Sequence, residues 1–218
     1  MESQNLKPDL WIVLDNSDVP EQDWSVASAC PYVQYHHDPV RRTIATLRNR
    51  CLDLALAEGA DYIVFWDDDD YYPPTRISGG IKALEDNPKA DLAGCSKMFL
   101  LLTRENILLT TGPFHEGHAT AATWTIRRRY AERHRFDPSK AKGEEITFTK
   151  NWTAEMTQVP PEECIVVMGH SHNTVDKSDV GKRPQVYNAT IVNSDNGKMM
   201  FRMKWPVPWD LWKTTFSV

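Results

Sequence analysis

The sequence predicts an α/β fold with a mostly parallel central sheet flanked by helices, continued by an irregular α+β half. Three observations carry that expectation. Apolar runs and helical periodicity alternate through residues 1–90, each run stops at turn-forming or acidic residues, and beyond Asp91 short apolar runs stand between polar loops. The 218 residues are enough for one domain, which at that size buries about 70% of its unfolded surface. A single domain over 1–218 is therefore expected, with 1–90 and 91–218 as two halves of one core, since neither a repeat nor a low-complexity linker divides them.

Leu10-Trp11-Ile12-Val13-Leu14 runs into Asp15-Asn16-Ser17-Asp18, which reads as a buried strand and its turn. Tyr32 to His36 reads as a second strand. From Arg41 to Glu58 the apolar positions Ile44, Leu47, Cys51, Leu54 and Ala55 recur three and four apart and Gly59 follows, the pattern of an amphipathic helix and its stop. Tyr62 to Trp66 is the next strand. Thr75 to Asn87 gives a second helix with Ile77, Ile81 and Leu84 on one face and Pro88 behind it, against the poor helix propensity of Gly79 and Gly80. In parallel sheets ligands bind beyond the carboxyl ends of the strands, so Asp15 and the Asp67–Asp70 run are expected to face one cleft. In the second half the apolar runs are Met98–Leu102, Ile107–Leu109, Ile165–Met168 and Met199–Met203.

Composition narrows the function classes. A net charge of −5 supplies no basic field for general nucleic-acid binding, although Arg127-Arg128-Arg129 is a local cluster able to hold an anion. Cys30, Cys51, Cys95 and Cys164 lack CxxC spacing, which argues for free thiols in a reducing cytosol and against a zinc knuckle or disulfide scaffold. No apolar run has the length of a membrane span, and MESQNLKPDL lacks the blocks of a signal peptide; a cytoplasmic protein is expected. The sequons at Asn151 and Asn188 then carry no consequence.

The most informative stretch is YIVFWDDDDYYPP, in which an apolar run meets four consecutive carboxylates, Asp67 to Asp70. Adjacent anions at the end of a buried strand repel one another and resist desolvation unless a cation compensates them. A hard dication, Mn2+ or Mg2+, held by one or two carboxylates with positions open to phosphate oxygens answers that requirement. A solvated acidic turn is the structural alternative, but such turns seldom begin where a buried strand stops.

Taken in order, Asp15-Asn16-Ser17, Leu47-Arg48-Asn49, Phe65-Trp66 with the acidic run to Pro74, Gly143-Glu144-Glu145, and His170-Ser171-His172-Asn173-Thr174 resemble the family 2 glycosyltransferases of GT-A (Rossmann-like) fold. The resemblance implies that Asp15 contacts the nucleobase of a nucleotide sugar and that Arg48 lies near base or diphosphate. It implies a DxD-like site in which Asp67 and Asp68 face the donor, Asp69 holds the metal and Asp70 supports. Glu145 would be the general base, with Glu144 able to exchange roles, and His170, with His172 as its competitor, would meet the metal or diphosphate. Gly117-His118-Ala119-Thr120 ahead of Trp124 is similar to the family's small-residue segment beside the acceptor, which makes His118 and Trp124 acceptor contacts. The structural alternatives are a turn or cap for Asp15, a solvated helix face for Arg48, a first-turn helix acid for Glu145 and an ordinary loop for His118. Family members usually carry a further strand and helix ahead of the Asp15 strand, so about one βα unit is expected to be missing. The aromatic tail Trp205–Trp212 lies beyond the resemblance and is expected to pack over the core.

The resulting expectation is a metal-dependent inverting glycosyltransferase of the hexosyl or deoxyhexosyl class. It would move a sugar from a nucleotide-diphosphate donor, taken as a UDP-sugar, to a hydroxyl of a glycan or glycoconjugate acceptor, without nucleic acid or an integral membrane segment. The alternatives are a nucleotidyltransferase that makes a nucleotide sugar, which lacks its glycine-rich phosphate loop here, and a catalytically silent glycan-binding or assembly module.

Overall fold

The computed structural model of the protein describes residues 3–20, 30–104, 107–140, 142–169 and 190–193. Strands β1 (Trp11–Asp15) and β2 (Val33–His37) pair in parallel, with Trp11 opposite Val33 and Asp15 opposite His37. Helix α1 (Ile44–Ala57) begins at Thr43, whose hydroxyl accepts the Thr46 N–H at 3.3 Å, and closes at Gly59 in the left-handed region that suits glycine, φ 80°. Its buried face is Ala45, Leu52 and Ala55, whereas Ile44, the first residue of the expected apolar stripe, is 43% exposed. The rotation has a physical cause. Two alanines let the helix sit close to the core, and the row beside them carries Arg48, whose guanidinium lies 5.6 Å over the Phe136 ring.

Strand β3 (Tyr62–Val64) leads through the acidic loop to α2 (Arg76–Asp86) and then β4 (Leu92–Gly94). A hairpin follows, β5 (Met98–Leu102) with β6 (Ile107–Thr111), then β7 (Thr125–Arg127), α3 (Arg128–Ala131), α4 (Glu144–Phe148), β8 (Met156–Gln158), β9 (Val166–Gly169) and β10 (Thr190–Asn193). One sheet has the order β3-β7-β4-β8 and another β10-β6-β5-β9. Within the first, β3, β4 and β8 run parallel to one another, although neither Leu92–Gly94 nor Met156–Gln158 stood out in the sequence as a strand. β7 enters antiparallel between β3 and β4, with Ile126 opposite both Ile63 and Leu92. In the second, β9 runs parallel to β5, and β6 and β10 oppose their neighbours. The sheets are thus mixed, with helices against them.

Two packing features explain why these residues form this core. α2 carries Gly80 because it lies almost against β7, where a Cβ would stand 2.1 Å from Thr125 Oγ1; a Cβ on Gly79 would stand 2.6 Å from Oε2 of Glu163, in the turn Pro161–Glu163. The second is an aromatic stack. Phe148 lies 4.2 Å from Phe136 and 5.2 Å from Trp124 with nearly parallel planes, and Phe65 meets Trp124 edge-on at 5.8 Å. Trp124, Phe136 and Phe148 are all at least 99% buried. Met199–Met203 and Trp205–Trp212 lie outside the described residues.

Candidate active site

β3 ends at Val64, and Phe65 makes one further sheet bond, its N–H donating to Trp124 O at 2.9 Å, before the chain leaves the sheet. The Asp67 N–H then donates to Tyr72 Oη at 2.8 Å, and the Tyr72 ring stacks on Trp66 at 4.0 Å, which closes the acidic segment into a tight loop. Burial, with the Asp67 charge beside it, pushes the Tyr72 hydroxyl well above its ordinary pKa, so it stays a neutral donor and acceptor. The loop is fastened to β9. Asp70 Oδ1 accepts the Met168 N–H at 2.8 Å, and Tyr71 and Val166 exchange two backbone hydrogen bonds of 3.0 and 2.8 Å.

This geometry gathers one carboxylate oxygen from each of Asp67, Asp69 and Asp70 within 4.8 Å of one another. Asp68 is exposed and lies outside that group. Asp70, read from the sequence as support, is thus a full member of the cluster, while Asp68 is not.

Arg48 and the glutamate pair close the other side. Gly143, left-handed at φ 71°, starts α4 and places Glu144 and Glu145 in its first turn. Glu144 is 6% exposed and accepts from Arg48 Nη1 at 2.5 Å, while Arg48 Nη2 lies 3.7 Å from Asp67 Oδ1. Arg48 therefore bridges the acidic loop and α4. Asn49, beside it, fixes the ring under the guanidinium: its side chain accepts the Phe136 N–H and donates to Phe136 O, both at 2.9 Å. Glu145 Oε1 accepts the Ala121 N–H at 3.0 Å. Burial raises the Glu145 carboxyl above its ordinary range; the Ala121 N–H and Arg48 oppose the rise, and the Glu144 and Asp67 charges add to it. A carboxylate of raised basicity that keeps one oxygen engaged and one for another partner is suited to accept a proton.

The remaining expected site residues fall in different places. Asp15, at the end of β1, accepts from Ser17 N and Oγ at 2.8 and 2.6 Å and from Tyr35 Oη at 2.5 Å. Tyr35 was missed in the sequence, because only the parallel register of β1 with β2 brings it there. A cavity of about 560 Å3 runs from Pro8–Ile12 along α1 to Arg48, Trp66 and Asp67; Asp15 is not among its walls. His118 is half-buried between Phe114 and Trp152. Trp124 corrects the sequence reading: it has no exposed surface, its Nε1 donates to Ala119 O at 3.1 Å, and it is a core residue and not an acceptor contact. His170 and His172 lie outside the described residues. The arginines of Arg127-Arg128-Arg129 each have partners within the fold: Arg127 donates to Leu84 O and Ala90 O, Arg128 pairs with Glu132, and Arg129 pairs with Asp91.

A mixed α/β sheet that delivers carboxylates from a strand end and a glutamate pair from a helix start is the architecture of GT-A glycosyltransferases. The sequence profile described as glycosyl transferase family 2 matches residues 3–149, more than half of the chain, and the protein belongs to that family. Among solved structures, S. aureus TarS 1-349 in complex with UDP-GlcNAc superimposes with a TM-score of 0.58 at 13% identity, over 78% of this chain and 53% of that one. The mannosyltransferase PcManGT from Pyrobaculum calidifontis, in complex with GDP-Man and Mn2+, gives a TM-score of 0.56 at 16% identity, over 79% and 52%. At these identities the likeness shows the fold, and the chain spans about half the length of either. No curated protein matches the chain in sequence. Among the described residues no helix is long and apolar enough to cross a membrane.

Proposed function

We propose that the protein transfers a sugar from a nucleotide-diphosphate donor, taken as a UDP-sugar, to a hydroxyl of a glycan or glycoconjugate acceptor, with inversion at the anomeric carbon. The observation that carries this reading is the convergence of Asp67, Asp69 and Asp70 with Arg48, Glu144 and the proton-accepting Glu145. The nucleotide-sugar complexes of TarS and PcManGT support the donor class, and the family supports the reaction.

The acids outnumber the guanidinium that faces them among the described residues, and three oxygens within 4.8 Å fit a hard dication, Mn2+ or Mg2+. Asp67, Asp69 and Asp70, with His170 or His172, are the residues that would hold it; when bound it supplies Lewis-acid neutralisation of the diphosphate. Arg48 offers the same diphosphate a planar donor, already oriented by Glu144 and Phe136. Glu145 takes the acceptor proton as the hydroxyl oxygen bonds to the anomeric carbon from the face opposite the diphosphate, whose bond to that carbon breaks. Asp15 with Tyr35 is assigned to the nucleobase and Asp68 to the ribose or sugar.

The test is a screen of nucleotide sugars for slow hydrolysis with added Mn2+, followed by calorimetry with UDP. Asp69→Asn is expected to abolish metal-dependent UDP binding and turnover. Glu145→Gln is expected to lower kcat by about 10²- to 10⁴-fold with donor binding retained. Normal turnover in Glu145→Gln reassigns the base, and glycan binding without any nucleotide binding replaces transfer by a binding module.

A further inference from the structure

The cavity of about 560 Å3 lies in the plane of the sheet. It touches consecutive residues of two strands, Leu10-Trp11-Ile12 and Tyr62-Ile63-Val64, and since the side chains of a strand alternate between faces, only a space at a strand edge meets them all. No residue of β2 or β7 is among its walls, so it faces the other edge of β1 and of β3. Helices cover it on both sides. Ile63, Ile126 and Leu92 pack with Leu52 of α1, whereas Tyr62 and Ala93 pack with Leu84 of α2, which puts the helices on opposite faces; Leu52 and Ala55 of one and Ile77 and Ile81 of the other reach the cavity. The backbone marks the same edges. Trp11 N–H donates to Tyr32 O at 2.7 Å and Asp15 O accepts the Asp38 N–H at 2.8 Å, so alternate residues from Trp11 to Asp15 turn their peptide groups to β2 and Ile12 turns its pair the other way. Phe65 N–H donates to Trp124 O and Asp61 O accepts the Arg128 N–H, which leaves the groups of Tyr62 and Val64 aimed away from β7. Among the described residues no backbone partner meets Ile12, Tyr62 or Val64 on that side. Every residue of β1 and β3 is only partly buried, whereas β4 is buried throughout. Interiors keep few voids larger than a water molecule and pair nearly all their peptide groups, so a space of this size between two such edges is shaped for a strand.

We propose that a second polypeptide completes the sheet here, adding an extended segment between β1 and β3. Its chemistry follows from the walls. With α1 on one face and α2 on the other, every side chain of the segment is enclosed, which demands an unbroken run of about four or five apolar residues, each keeping its N–H. Where β1 and β3 begin, the rim carries the exposed Asp9, Glu58 and Asp61 against Lys7, and Glu58 is held there by Gln34 of β2 at 2.8 Å, so a basic residue flanks the run at that end. At its other end the segment meets Arg48 and Asp67, which sets the partner against the acidic loop. The sequence outside the described residues does not supply such a run: its longest apolar stretch without proline is Met199-Met200-Phe201, and Arg202 follows.

The experiment titrates the full chain with two synthetic peptides, acetyl-Lys-Val-Ile-Val-Val-Ser-amide and the same residues in reverse order, by calorimetry and by hydrogen exchange read residue by residue in NMR. One of them is expected to saturate the wild type one to one and to slow exchange of the Ile12, Tyr62 and Val64 amides about tenfold or more. Proline in place of the peptide's isoleucine is expected to abolish binding, because it removes a ladder donor. Glu58→Lys, at the surface, is expected to weaken the peptide about threefold, and Ile81→Glu, in the wall, about tenfold or more; Glu58→Lys decides if Ile81→Glu fails to fold. No saturable binding, a proline peptide that binds equally well, or variants that bind as tightly as the wild type overturns the proposal. So does a wild type whose three amides are already protected without peptide: protection that grows with protein concentration puts a second copy in the slot, and protection independent of concentration puts the chain's own residues there.

Discussion

Glu145 carries opposite consequences for catalysis and for stability. A base acts only when deprotonated, so with its pKa raised by burial the acid limb of kcat/KM is expected above the usual carboxylate range. Arg48 opposes that rise, and Arg48→Met is expected to move the limb to higher pH; a limb that stays in place would show that Glu145 does not govern it. For stability the sign follows from linkage. A carboxyl whose folded pKa exceeds its unfolded value contributes stability below the unfolded pKa and loses it as pH rises through the folded one. Glu145→Gln, which stands in for the protonated form, is therefore expected to gain Tm relative to wild type near neutrality. That gain should shrink as pH falls to the ordinary carboxylate range, as calorimetry over a pH series will read.

Among the elements, α2 shows how packing overrides propensity. Alanine in place of a helical glycine is worth about 1 kcal/mol in isolation. A Cβ at Gly80 would stand 2.1 Å from Thr125 Oγ1 and 2.9 Å from Thr125 Cβ, so Gly80→Ala is expected to destabilise by about 1–3 kcal/mol in denaturant melts. Phe136→Ala, which removes the ring shared by the core stack and Arg48, is expected to cost about 3–5 kcal/mol. The same element explains what was legible. Strand runs with a clear stop were read closely, Met98–Leu102 in full and Tyr62–Trp66 save that Phe65 and Trp66 already belong to the loop. The places of Asp67 and Asp69 behind a strand end and of the glutamate pair at a helix start were legible, because apolar runs and their stops mark those points, whereas Arg48, inside α1, was picked out by the resemblance alone. The buried face of α1, the core place of Trp124 and the partners of the arginine run were not. Each depends on which neighbour the residue meets, and that was decided by β7 inserting between β3 and β4.

For the whole molecule, ligand binding and folding are linked. UDP with Mn2+ at a hundred times Kd is expected to add about 2.7 kcal/mol, which for a chain of 218 residues raises Tm by about 5–10 °C. Chelation should abolish the shift, and a shift that survives EDTA would separate nucleotide binding from the aspartates. The acidic loop belongs to two sheets at once, leaving β3 and joining β9 through the Tyr71–Val166 bridge and the Asp70 bond to Met168. Occupancy of the aspartate cluster thus clamps a seam, so the backbone amides of Val166 and Met168 should exchange with deuterium more slowly once nucleotide and cation are added.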